Sequence, residues 1–387
     1  MNPAEHELAY IFIELGLATI GLAILARLSS RWGFSAIPLY LLAGLPFGND
    51  GLAPLSISRG FTHTGAEIGI LLLLFMLGLE YSGDQLKQNL RSGLWGGALD
   101  LLLNFLPGLL AGHFFGWQWL PSILLGGITY NTSLGIAARV FSDSGRMNSP
   151  ETSVVLSILV LEDLSMAVYL PLVAVLIAGG GGGTIAISVA IAVIAVLLAL
   201  FTAIRHGHSF SALIAHQSDE VILLSVFGSV LLAAGLAERI QVSAAIGAFL
   251  VGIALSGPVA KRSQRLISPL RDLFAAIFFF FFGVEIDPRS LPPVLLFALV
   301  LAVVTLLTKT LTGYLATRRT QVGHRARLRA GFTLVAHGEF AIVIAGLGGA
   351  LEPRLGPLAA AYVLLTAVLG PIAVRLAGKD RVRPSSS

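Results

Sequence analysis

The 387-residue chain contains no cysteine. That absence excludes a disulfide framework, a thiolate metal centre and a cysteine nucleophile together. Charge is scarce as well: Asp, Glu, Lys and Arg make up 12% of the residues, against roughly 25% in soluble domains. No Walker-type or dinucleotide-binding glycine motif occurs. The run Gly179–Gly183 has neither a following Lys-Ser/Thr nor a flanking strand, so it is not a phosphate cradle. No nucleophile–base pairing supports an intramembrane hydrolase and nothing suggests a cofactor box, so the reading is non-enzymatic and cofactor-free; with no repeated filter, a passive cation channel stays only as a distant alternative. Met1–Glu7 carries acids and no Lys or Arg before the first apolar run, which argues against a cleavable signal peptide.

What is present is apolar surface: 56% hydrophobic residues and a mean hydropathy of +0.86. Such a chain has lipid as its main solvent. The net charge of +4 does not point to nucleic acid, because the basic residues lie between apolar runs instead of on one soluble face. Only helices satisfy their own backbone in hydrocarbon, and about 20 apolar residues cross it. Thirteen runs are expected to do so: 8–28, 34–48, 65–81, 92–116, 119–141, 152–178, 184–204, 220–237, 241–256, 269–286, 290–317, 327–349 and 356–376. Placed between these runs, twenty Lys and Arg fall on one side and four (Arg59, Arg239, Arg289, Arg354) on the other, with Lys309 inside the eleventh run. By the positive-inside rule the N-terminus is outside and the C-terminus cytoplasmic.

An internal repeat is legible. Phe75-Met76-Leu77-Gly78-Leu79-Glu80 ends the third run and Phe280-Phe281-Phe282-Gly283-Val284-Glu285 the tenth, while Gly127-Ile128-Thr129 in the fifth matches Gly331-Phe332-Thr333 in the twelfth. Both pairs are seven spans apart, and an odd offset inverts the repeat in the membrane. The expected organisation is a first six-span repeat over 1–178, a linker and span seven over 179–219, a second six-span repeat over 220–376, and a short cytoplasmic tail over 377–387.

Polar interruptions stand at corresponding places of the two repeats. The fifth run is broken by Thr129-Tyr130-Asn131-Thr132-Ser133 and the twelfth by His337-Gly338-Glu339. An unwound turn exposes backbone dipoles to a bound ion, so Asn131, Thr132 and Ser133 are candidate ligands, with His337 and Glu339 as supporting charges. Glu162 and Asp163 sit near the middle of the sixth run. A carboxylate at that depth costs ~2.5–3.5 kcal/mol on insertion scales, so it either carries an ion or is neutralised by a cation. Lys309 and Arg139 are the candidate cations, and Asp100 in the fourth run is an alternative partner for Lys309.

These residues carry a family likeness. Asn148-Ser149-Pro150-Glu151-Thr152, Leu161-Glu162-Asp163, Phe278 through Gly283 with Ile286-Asp287-Pro288, Gly338-Glu339-Phe340 and Leu369-Gly370-Pro371 resemble the monovalent cation/proton antiporters of the Kef and NapA type, most closely the KhtU-like potassium/proton antiporter subunits. The resemblance implies an all-α polytopic membrane protein of the NhaA-type antiporter fold, with about 13 transmembrane helices in inverted repeats and two discontinuous crossing helices. It implies exchange of K⁺, or alternatively Na⁺, for H⁺ at Asp163, with Thr132, Ser133 and Glu162 around it and Glu339 neutralising helix ends. His337 stands where that family usually has Arg. A homodimer in the inner (cytoplasmic) membrane and a separate cytosolic regulatory subunit are also implied.

Overall fold

The computed structural model describes residues 3–32, 36–48, 59–80, 94–143, 146, 149–178, 210–239 and 244–377. The expected seventh span, the glycine run before it, Asn148, the side chain of Arg139 and the tail beyond 377 lie outside the described residues. Helices stand at the other twelve expected spans. They are α1 (Pro3–Trp32), α2 (Ile37–Gly44), α3 (Arg59–Glu80), α4 (Leu94–Phe114), α5 (Trp119–Tyr130), α6 (Leu134–Asp143) and α7 (Pro150–Ala178). The second half supplies α8 (Asp219–Arg239), α9 (Ala244–Ala254), α10 (Gly257–Glu285), α11 (Leu291–Ala316), α12 (His324–Leu334), α13 (Glu339–Gly348) and α14 (Leu355–Leu376). Among the described residues, eight helical segments are long and apolar enough to cross a bilayer by themselves, and Ile37–Phe47 and Thr64–Met76 are shorter apolar pieces.

One boundary departs from expectation. The basic stretch Lys261–Arg271, expected to link spans nine and ten, is helical, because α10 starts at Gly257. Gly257 takes a left-handed φ of 66° and Pro258 follows in the first turn, a combination that turns the chain and seeds a helix before the apolar part begins. Arg262 on that extension bonds Asp219 at 2.5 Å and the carbonyls of His216 and Gln217 at 2.9 and 2.6 Å.

The chain divides into two units. One comprises Met1–Ala26, Leu39–Asn89 and Asp163–Pro288, the other Arg27–Pro38, Leu90–Glu162 and Arg289–Ser387. In the first, Leu72, Phe75 and Leu79 of α3 pack with Val226 and Val230 of α8 and with Ala248, Val251 and Leu255 at α9. In the second, Ala137 and Phe141 of α6 pack with Val155, Ile158 and Leu159 of α7 and with Ala330 and Leu334 of α12.

Within each unit, glycines set the closest helix approaches, since van der Waals packing of backbones is what holds helices together in lipid. A Cβ on Gly78 would strike the α9 backbone at Phe249 and Gly252, and one on Gly283 would strike the α2 backbone at Leu41. In the second unit, Gly108 of α4 abuts Gly126 of α5, and Gly313 of α11 abuts Gly331 of α12. Gly78 and Gly283, Gly108 and Gly313, and Gly126 and Gly331 are each 205 residues apart.

Candidate functional site

The second unit brings the two interruptions together. α5 stops at Tyr130 because Asn131 leaves the helical region (φ −84°, ψ 123°). The chain resumes as α6 at Leu134, whose first turn is capped by Ser133 Oγ accepting from the Ile136 amide at 3.4 Å. α12 ends at Leu334 and α13 begins at Glu339, after Gly338 at φ −151°, ψ −131°. The breaks are bonded to each other. Ser133 N–H donates to the Ala336 carbonyl at 2.8 Å and the Thr132 hydroxyl lies 2.9 Å from the Leu334 carbonyl. Gly338 faces the Ser133 side chain so closely that a Cβ there would meet Ser133 Cβ and Oγ at 2.7 Å.

His337 lies fully buried in the second break. Its Nδ1 is 2.8 Å from the Val335 carbonyl and its Nε2 3.1 Å from the Thr129 carbonyl, with the Tyr362 hydroxyl 3.2 Å from Nε2. One imidazole thus touches terminal carbonyls of both α12 and α5, groups a helix end leaves without an internal donor. Tyr362 is held in turn by Thr305 at 2.7 Å. Glu339 is partly buried and accepts from Ser133 Oγ at 3.3 Å.

Beside the first break sits an ionic cluster with no exposed atoms. Lys309 Nζ donates to both oxygens of Asp100 (3.1 and 2.9 Å), to Glu162 Oε1 (3.0 Å) and to the Tyr130 carbonyl (2.6 Å). Lys309, Asp100 and Glu162 are each 0% exposed. Three buried charges are tolerable only where every donor and acceptor is met, and here they are. The arrangement also matches the dipoles of the broken helix. The ammonium caps the carbonyl end of α5, while Glu162 Oε2 accepts from the Thr132 amide ahead of α6, and Thr132 Oγ1 lies 3.1 Å from Oε1. Cation at a helix C-terminus and anion at an N-terminus is the favourable pairing.

Of the residues singled out in the sequence, the structure gathers Glu162, Lys309, Thr132, Ser133, His337 and Glu339 around the two breaks. Asn131 is buried in the first break, and Asp163 is 4% exposed on α7, one residue and about 100° of helix beyond Glu162. The alternatives for Lys309 resolve together: it holds Asp100 and the acid of the sixth span at once. Sequence reasoning missed the polar support. Asn104 Nδ2 donates to Asp100 Oδ1 at 2.9 Å and contacts Thr312 at 3.2 Å, and Thr308 donates to Asn104 Oδ1 at 2.7 Å. A signal existed, for Asn104 follows Asp100 by one helical turn, and Thr305, Thr308 and Thr312 share the Lys309 side of α11. The turn carrying Asn104, Leu101–Phe105, is a π-helix. Pro107 lies just beyond it and offers no N–H, which favours the wider turn.

Two broken helices crossing beside buried, compensated charges define a membrane ion transporter of the secondary type. The sequence profile described as "Sodium/hydrogen exchanger, transmembrane" matches residues 17–377, and the chain belongs to this family of cation/proton exchangers. It is therefore a multi-pass membrane protein. It is similar to the K(+)/H(+) antiporter subunit KhtU of Bacillus subtilis, 36% identical over 95% of this chain and 93% of that one. The Ammonium/H(+) antiporter subunit AmhT of Alkalihalophilus pseudofirmus is 30% identical over 92% of this chain and 90% of that one. Among solved structures, the sodium proton antiporter MjNhaP1 of Methanocaldococcus jannaschii shares the fold, with a TM-score of 0.70 at 17% identity over 96% of this chain and 100% of that one.

Proposed function

We propose that this protein exchanges a monovalent cation, K⁺ in the first instance, for protons by alternating access, with cation and proton competing for Asp163. The observation that carries the reading is the bonded pair of helix breaks with Glu162 fastened to the first of them, one residue before the buried Asp163. A bare carboxylate is costly to move across hydrocarbon. It crosses when neutralised by H⁺ or by a cation, and that rule couples the two fluxes. Thr132, Ser133 and Asn131 supply oxygens suited to a hard alkali cation, and His337 and Glu339 hold the break geometry on which those oxygens depend.

Similarity to KhtU favours K⁺, and the fold shared with a sodium proton antiporter keeps Na⁺ as the alternative. The constant 205-residue separation of paired glycines supports the inverted-repeat organisation. Relatives named as subunits support work alongside a separate regulatory subunit, and we take the transporter to be a homodimer in the cytoplasmic membrane with its C-terminus inside. The decisive experiment uses proteoliposomes with an internal pH dye. K⁺, Na⁺ and Li⁺ are added in turn to the wild type and to Asp163→Asn. Cation-driven proton movement is expected in the wild type and lost in the variant, and normal exchange by Asp163→Asn would remove the proposal.

A further inference from the structure

The ionic cluster contains one more carboxylate than Lys309 needs. Asp100 engages the ammonium through both oxygens and is itself fixed by Asn104, which Thr308 and Thr312 hold in turn. Glu162 reaches the same ammonium through one oxygen, and its other oxygen is committed to the Thr132 amide on the helix break. The two carboxylates therefore differ in kind: Asp100 belongs to a rigid polar lattice on α4 and α11, whereas Glu162 belongs to the break. Lys309 is also bonded to the Tyr130 carbonyl, so its place does not depend on Glu162.

Resting on the exchange reading above, we infer that Asp100 is the standing counter-ion of Lys309. It keeps the ammonium charged and in place at the end of α5 through the whole cycle, and leaves Glu162 free to change its occupancy together with Asp163. Lys309 is then a positioning residue and not a carrier of the transported proton. Charge counting gives the reason. Asp100 and Lys309 cancel, so whatever Glu162 and its neighbour bind or release changes the net charge of the site, while the pair contributes nothing. A lysine countered by Glu162 alone would have to give up its proton whenever Glu162 was neutralised. Among the described residues, the other titratable groups near the cluster are His337, which feels the Lys309 charge, the Tyr362 hydroxyl, which feels Asp100 and Glu162, Tyr130, whose ring lies 5.6 Å from Lys309 Nζ, and Asp163 next to Glu162 on α7.

The test compares Lys309→Gln, Asp100→Asn and the double variant in proteoliposomes, with melting temperatures of each purified protein. Lys309→Gln leaves two buried carboxylates unmatched and is expected to lose exchange about tenfold or more. Adding Asp100→Asn restores the wild-type net charge and is expected to recover most of the exchange. Asp100→Asn alone removes a negative charge beside the exchanging carboxylates. A proton there becomes easier to displace, so the pH profile of exchange should move about one unit or more toward acid. A double variant as inactive as Lys309→Gln, whether folded or not, overturns the inference, because a static pair can be neutralised jointly. An unshifted profile for Asp100→Asn, or full activity in Lys309→Gln, overturns it too. Failure of the wild type to exchange at all would instead remove the proposed function.

Discussion

Thr132 is the residue on which both breaks meet the ionic cluster. Its amide and hydroxyl reach Glu162, and the hydroxyl also reaches the Leu334 carbonyl. Thr132→Val keeps shape and backbone donor but removes the hydroxyl from a buried site. Losing one hydrogen bond to a charged acceptor costs about 1.5–3 kcal/mol, and because both bonds of this hydroxyl lie within the folded protein, the melting temperature should fall by a few degrees while half-saturation for the cation rises as a ligand oxygen is lost. Titration of exchange against cation concentration reads this directly. Glu162→Gln asks more of the site, because Glu162 presents one acceptor oxygen to Lys309 and the other to the Thr132 amide, whereas Gln has a single acceptor and turns a donor toward one of these donors. It should depress the maximal rate as well as affinity, seen as a fall in initial exchange velocity at saturating cation.

At the scale of elements, the breaks were legible because polar residues cannot continue an apolar helix in lipid without a purpose. α5 and α6 part where Asn131-Thr132-Ser133 stands, and α12 and α13 part around His337-Gly338. The sequence likeness that paired Gly127 with Gly331 was off by one residue from the packing, where Gly126 and Gly331 occupy corresponding contacts. Composition does not show which glycine in a run faces a neighbour; only the helix crossing does. That crossing makes a prediction. Gly331→Val would drive a branched side chain into the Thr310 backbone, so a melting temperature lower by several degrees and loss of exchange are expected. Gly228 and Gly235 of α8 have open space around them. Ala there should be neutral or stabilising by up to about 1 kcal/mol, read by the same melting curves.

For the whole molecule, the distribution of basic residues predicts an orientation, and it can be probed without background, since the chain has no native cysteine. Gln321→Cys, between α11 and α12, lies on the side carrying Arg318, Arg319, Arg325 and Arg327. Pro353→Cys, between α13 and α14, lies on the sparsely basic side. In intact cells a membrane-impermeant maleimide should label Pro353→Cys and spare Gln321→Cys until the membrane is opened. The reverse pattern would invert the topology.

The amino-acid order alone determined how many apolar stretches the chain offers, where two of them break, and that Glu162, Asp163 and Lys309 lie inside apolar spans. Each of these follows from local cost, because a buried charge or an unwound turn in lipid is expensive wherever it occurs. Which groups meet was decided by tertiary structure. Asp100 and Lys309 stand 209 residues apart and Glu162 and Lys309 147 apart, and the meeting of both carboxylates at the Lys309 ammonium depends on the rotation of α4, α7 and α11 about their axes. That rotation is fixed by glycine-lined crossings and a π-turn, features of packing that no periodicity along the chain encodes.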